Sequence, residues 1–163
     1  MRYMLSAALV ICSLAFAETK TLALQICLDR EVCSCNTIDG VWGRKSERAL
    51  AEYVHRKTPG TAVPSTPDAA YNRFFASSGN LFRIETVTAA DLAALVKVPE
   101  SPAGKSELAR LGYESIKEMF AERGHLSERA LERMNPGVDW EHVQPGLKLV
   151  IPDFPPMESY LGS

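Results

Sequence analysis

Apolar positions along the chain fall into a small number of periodic runs. Thr21–Val32 has helical spacing: Leu22, Ile26 and Asp29 share one face, and Leu24, Cys27 and Leu28 share the neighbouring one. Arg44–Lys57 has it again, through Leu50, Tyr53 and Val54 with Ala49 beside them, and Thr58-Pro59-Gly60 stops it. Asn36–Gly43 lies between the two and reads as a turn. Gly40 permits positive φ, Asp39 can accept backbone N–H bonds across the turn, and Gly43 can serve as the N-cap of the second helix. Ser46 and Glu47 suit a first turn, where N–H groups lack partners and negative charge is favoured. Ile38 and Trp42 are its apolar plugs.

Beyond Lys57 the composition shifts. "TPGTAVPSTPD", Thr58 to Asp68, is a linker or a wrapped loop, and Asp68–Phe75 forms a short helix carrying Tyr71, Phe74 and Phe75. Leu81–Val87 then alternates as a strand through Phe82, Ile84 and Thr86. Asp91–Val96 makes a helical turn, and Lys105–Leu111 a short helix closed by Gly112. Ser115 opens the next helix, Glu118 completes a capping box, and Ile116, Met119 and Phe120 form its apolar face before Gly124 ends it. Ser127 caps a further helix with Ala130, Leu131 and Met134 inward, closed by Asn135-Pro136-Gly137. Leu147, Leu149 and Ile151 alternate as a final strand, and Pro155–Ser163 has no period. The predicted fold class is α+β, mostly helical: a small helical module, a linker, then strand, helices and strand.

Charge and leader place the chain. Its net charge of −2 offers no basic excess for nucleic acid. Arg2, the apolar run Met4–Phe16 and the small residues Ala15 and Ala17 form a secretory signal peptide, with cleavage expected after Ala17. The run is shorter than the roughly 18 residues a membrane span needs, and no apolar span follows it. Ile11 before Cys12 is too bulky for a lipoprotein signal. The mature chain is expected to be soluble and exported.

Cys27, Cys33 and Cys35 lie close together, which in an exported chain suggests a disulfide with one thiol left over. They lack the C-x2-C spacing of a zinc site. His125 follows Glu122 and His142 follows Asp139, but neither pair has metalloprotease spacing. His125 is expected to close a helix C-terminus and His142 to lie in a surface loop. No catalytic residue, metal or cofactor is expected. Trp42 is either a core plug or a face for sugar or peptide, and Trp140 is either exposed or packed under the final strand.

Leu22–Val54, "LALQICLDREVCSCNTIDGVWGRKSERALAEYV", resembles the peptidoglycan-binding-like domain. The features that carry the resemblance are Leu24-Gln25, Leu28, Asp39-Gly40-Val41-Trp42-Gly43, Ser46 and Ala49-Leu50. Cys33 stands where that family has an aromatic or apolar residue, and "AEYV" where it has Phe-Gln. The resemblance implies a ligand groove beside the Asp-Gly loop and second helix, with Asp39, Trp42, Arg44 and Tyr53 as binding residues. Arg44 would pair with a stem-peptide carboxylate; otherwise it is a solvated helix-start arginine. So small a module usually needs a staple. A Cys27–Cys35 disulfide, worth about 2–3 kcal/mol, is the favoured pairing, with Cys33 a buried core residue and Cys27–Cys33 the alternative.

Tyr113–Pro152 resembles the later part of a LysM module through its two helices, Asn135, Pro145-Gly146 and the strand "LVIP". Leu81–Val87 would be that module's first strand. Its Gly-Asp-Thr turn is missing, with Thr88–Gly112 inserted instead. The implied division is 1–17 signal peptide, 18–57 peptidoglycan-binding-like module, 58–80 linker, 81–154 LysM-like module and 155–163 tail. The order of the halves resembles the non-catalytic front part of exported L,D-transpeptidases. No Ser-x-Gly-Cys segment is present, and no cysteine follows Cys35. The resemblance implies an exported, periplasmic or extracellular cell-envelope protein binding peptidoglycan, with a cell-wall enzyme as a further candidate partner. The alternatives are a truncated or split transpeptidase and a periplasmic protein-interaction domain.

Overall fold

The computed structural model describes residues 16–96 and 112–155. The expectations for the signal-peptide core, Cys12, the Lys105–Leu111 helix, most of the 88–112 insertion and the tail beyond Pro155 lie outside the described residues. The rest is α+β. Its elements are α1 (Phe16–Arg30), α2 (Arg44–Lys57), α3 (Pro67–Phe74), β1 (Phe82–Thr86), α4 (Ala89–Ala93), α5 (Ile116–Arg123), α6 (Glu128–Met134) and β2 (Lys148–Pro152). Among the described residues no helix is long and apolar enough to cross a membrane.

α1 is the central element. Nothing between Phe16 and Thr21 breaks a helix, so it starts earlier than expected. Every side chain from Thr21 to Leu28 is buried. The sequence reading allotted α1 two apolar faces; packing covers it all round, as for a helix inside a core. α2 and α3 lie against it. Its end is set by Val32, which takes φ +59° while the Cys33 N–H bonds back to the Leu28 carbonyl at 2.8 Å. This is a Schellman-type stop in which glycine is the usual residue.

β1 and β2 pair antiparallel, Ile84 opposite Val150 and Glu85 opposite Leu149. Leu149 and Ile151 are fully buried, as their alternation predicted. β1 corrects its prediction. Leu81 and Val87 are the buried members, and Ile84 is 51% exposed. The buried parity is odd-numbered, so Arg83 and Glu85 share the face of Ile151 and Leu149. Their charges are met at the rim: Arg83 bonds Glu85 at 3.0 Å, Arg123 of α5 bonds Glu85 at 2.9 Å, and Arg123 also reaches Asp91 at 2.6 Å.

Asp91 is itself part of a capping box that opens α4. Its carboxylate accepts from the Thr88 hydroxyl at 2.6 Å and the Thr88 N–H at 2.8 Å. The Thr88 bonds, followed by the one from Arg123, hold the Asp91 carboxyl down to about 2 from an ordinary 3.8. A lowered carboxylate pKa stabilises the fold above the ordinary value, and that contribution fades as pH falls toward the folded value. Asp91→Asn is therefore expected to lose about 2 kcal/mol at neutral pH. Urea midpoints of the two proteins should converge as the pH approaches 2. A gap that stays constant across the acid range would refute the account.

The box expected at Ser115 is only half formed. Ser115 accepts from the Glu118 N–H at 3.0 Å, but the Glu118 carboxylate reaches back one residue further, to the Glu114 N–H at 2.7 Å. Ser127 caps α6 as expected, taking the Ala130 N–H at 3.2 Å.

The segments expected as two modules meet in one core. Ile38 forms a parallel bridge with Leu126, donating to the His125 carbonyl at 2.8 Å and accepting from the Ser127 N–H at 3.0 Å. Arg30 at the end of α1 bonds the Asp153 carbonyl beyond β2 and the Asn80 carbonyl before β1. His125 sits just past α5, as expected of a residue closing that helix, at φ +51°. Its ring is 2.6 Å from the Asp29 carboxylate and stacks on Phe154.

Candidate functional site

A polar side chain inside a fully enclosed helix needs every partner it can find. Gln25 is 1% exposed, and its amide organises the Asp39–Gly43 turn. Its oxygen accepts the N–H groups of Asp39 at 3.2 Å and Gly40 at 2.8 Å. Its nitrogen lies 3.0 Å from the Asp39 carboxylate, 3.1 Å from the Val41 carbonyl and 3.0 Å from the Ser46 hydroxyl. Asp39 also accepts the Val41 N–H at 2.9 Å, as its place in the turn suggested. Gly40 has φ +72°, and a Cβ there would stand 3.2 Å from the Arg133 guanidinium. Arg133 donates to the Asp39 carbonyl, so α6 braces the same turn.

The four residues picked from the sequence do not converge. One carboxylate oxygen of Asp39 is taken up by Gln25 and Val41. Trp42 is half-buried against the core, and Arg44 is exposed at the start of α2. Tyr53 lies about 180° around the helix from Arg44 at 100° per residue. Its ring packs on Phe74 at 5.6 Å and Phe75 at 4.8 Å, so it belongs to the contact between α2 and α3. Trp140 is half-buried against the core, and His142 is exposed beside Asp139.

The expected Cys27–Cys35 disulfide is not formed, nor is Cys27–Cys33. All three are buried free thiols, and none of the pairs is at disulfide distance. The reason is direction. Cys27 turns its thiol toward Ser78 after α3, whereas Cys35 turns toward Ser46 on α2. Burial pushes all three thiols up, Cys35 to about 11, which makes each a poor nucleophile.

An open groove of about 440 Å³ runs along α2. Val32, Ser34 and Asn36 form one lip; Lys45, Arg48 and Glu52 form the other, with Cys33 and Ala49 also lining it. Sequence reading passed over Lys45, Arg48 and Glu52 because it followed only apolar spacing on α2. Their own spacing, i, i+3 and i+7, was the available signal. A second cleft, about 460 Å³, lies where the halves meet and is edged by Glu118, Glu122 and Glu128 with Asn36 and His125. Among the described residues no group of side chains could hold a metal ion.

No protein-family model matches the chain, and no curated protein matches it. The groove on α2 is open and mixed in charge. Such a surface suits an extended ligand bound without covalent chemistry.

Proposed function

We propose that this is an exported cell-envelope protein that binds peptidoglycan non-covalently, as an anchoring or targeting module. In this reading the α1–turn–α2 segment is the peptidoglycan-binding-like module. The β1–α4–α5–α6–β2 segment is LysM-like and braces it. The observation that carries the reading is the Gln25 amide. The motif residues behind the resemblance, Gln25, Asp39, Gly40 and Ser46, are those that interlock to hold the turn. The groove runs between α2 and the Val32–Asn36 segment that leads into that turn, and the resemblance implies a ligand beside the second helix.

The test is co-sedimentation of the whole exported chain with purified sacculi. The wild type is expected to pellet with the wall in proportion to free sacculi, with a half-saturation that rises as salt is added. A chain left wholly in the supernatant at low salt would sink the proposal.

A further inference from the structure

The three charged residues on the α2 lip share one feature. Lys45, Arg48 and Glu52 make no ion pair or side-chain hydrogen bond among the described residues, although Arg48 and Glu52 are one helical turn apart. Other exposed charges of this chain do pair, Lys57 with Glu31 at 3.0 Å and Lys117 with Glu128 and Glu132 at 3.3 and 2.8 Å, whereas Arg44, Glu47, Arg129 and Lys148 resemble the lip residues in having no such pair among the described residues. The groove thus holds two unspent cations and one unspent anion along one wall.

The facing lip adds a second feature. Val32 is 64% exposed and sits at φ +59°. A β-branched residue in this region is strained, by about 1–2 kcal/mol per residue. Glycine would carry the turn without that strain. Valine places two methyl groups at the groove rim, opposite the charges. Ala49 and the Cys33 thiol, both buried, make the interior small and apolar.

We infer that this groove takes the stem peptide of peptidoglycan and not its glycan strand. The inference rests on the wall-binding reading and names the part of the wall bound. A stem peptide is a short chain with small apolar side chains, free carboxylates and an amine. Lys45 and Arg48 meet a carboxylate, the guanidinium by its paired N–H groups. Glu52 meets the amine. Val32 and Ala49 contact the small side chains. A glycan strand has no net charge pattern to match this wall and needs an exposed aromatic platform, which the groove lacks.

The experiment measures binding to intact sacculi free of phosphate polymers, with two soluble competitors: a stem tetrapeptide, and the glycan strands that an amidase releases when it removes the stems. The variants are Lys45→Glu with Arg48→Glu, and Val32→Gly. Lys45 lies in the first turn of α2, where glutamate suits the helix dipole, and Arg48 is exposed in the next turn, so the double variant should fold. Binding to sacculi is expected to fall about tenfold in the double variant. Val32→Gly should keep or raise the melting temperature while weakening binding about threefold. Tetrapeptide should displace the wild type, and glycan strands should not. Displacement by glycan strands and not by tetrapeptide, or a double variant that binds normally, overturns the inference and leaves wall binding standing. No wild-type binding to intact sacculi overturns the wall-binding reading itself.

Discussion

Gln25→Leu will lower stability by about 3 kcal/mol or more while keeping the volume of the side chain. Leucine fills the same space inside α1, so the effect isolates the amide. Two N–H groups, from Asp39 and Gly40, lose their acceptor. The Val41 carbonyl, the Asp39 carboxylate and the Ser46 hydroxyl lose their donor. Groups left dry and unpaired in this way cost about 1–3 kcal/mol each, and water entering from the half-exposed Asp39 side offsets part of the total. Two measurements check it. The urea midpoint should drop sharply, and the Gly40 amide should lose its protection against hydrogen exchange before the amides of α2 do. A change below about 1 kcal/mol would show that the turn stands without the amide.

The second large effect is expected at Asn135, the C-cap of α6. Its side chain donates to the Leu131 carbonyl at 3.0 Å and the Val150 carbonyl at 2.9 Å, and accepts the Val150 N–H at 2.7 Å. The Val150 groups point away from β1, toward the open edge of β2. One asparagine amide thus stands where a third strand would, and closes that edge over one residue. Asn135→Ala should lose about 2–3 kcal/mol, because three hydrogen bonds at a buried residue go at once. It should also uncover a strand edge, which is a template for self-association. Concentration-dependent light scattering after mild heating is the second readout. Asn135→Asp, which sets a carboxylate oxygen against the Leu131 and Val150 carbonyl oxygens, should cost at least as much as alanine at neutral pH and recover part of the loss as the carboxyl is protonated. An alanine variant as stable and as monodisperse as the wild type would refute this role.

Local signals in the sequence were read well where they act locally. The bounds of α2, the burial of Leu149 and Ile151 on β2 and the cap at Ser127 all follow from spacing and from side chains that bond their own helix. Asp39 and Gly40 were legible for the same reason. What was not legible depends on partners distant in sequence. The phase of β1 is set by Leu81 and Val87 at its ends and by Arg123 waiting for Glu85, so counting Phe82 and Ile84 gave the wrong face. Gln25 was noticed as part of a motif, but its burial depends on α1 being covered on every side. The cysteines were close in sequence, and only the packing of α1 against α2 and α3 shows their thiols directed apart. The groove escaped because its residues are polar on a helix whose apolar positions had already explained it.

The bridge between Ile38 and Leu126 bears on how portable the N-terminal segment is. The proposed wall binding invites use of this segment as a detachable affinity tag, cut near Lys57. Such a fragment would leave the Ile38 N–H and carbonyl without the His125 and Ser127 partners that satisfy them, and Asp29 without His125. Arg133 would no longer brace the turn, and Arg30 would have neither Asp153 nor Asn80 to hold. A graft of this surface onto another protein must therefore carry the chain through Asp153. Shorter designs would need a new neighbour for Ile38 built in.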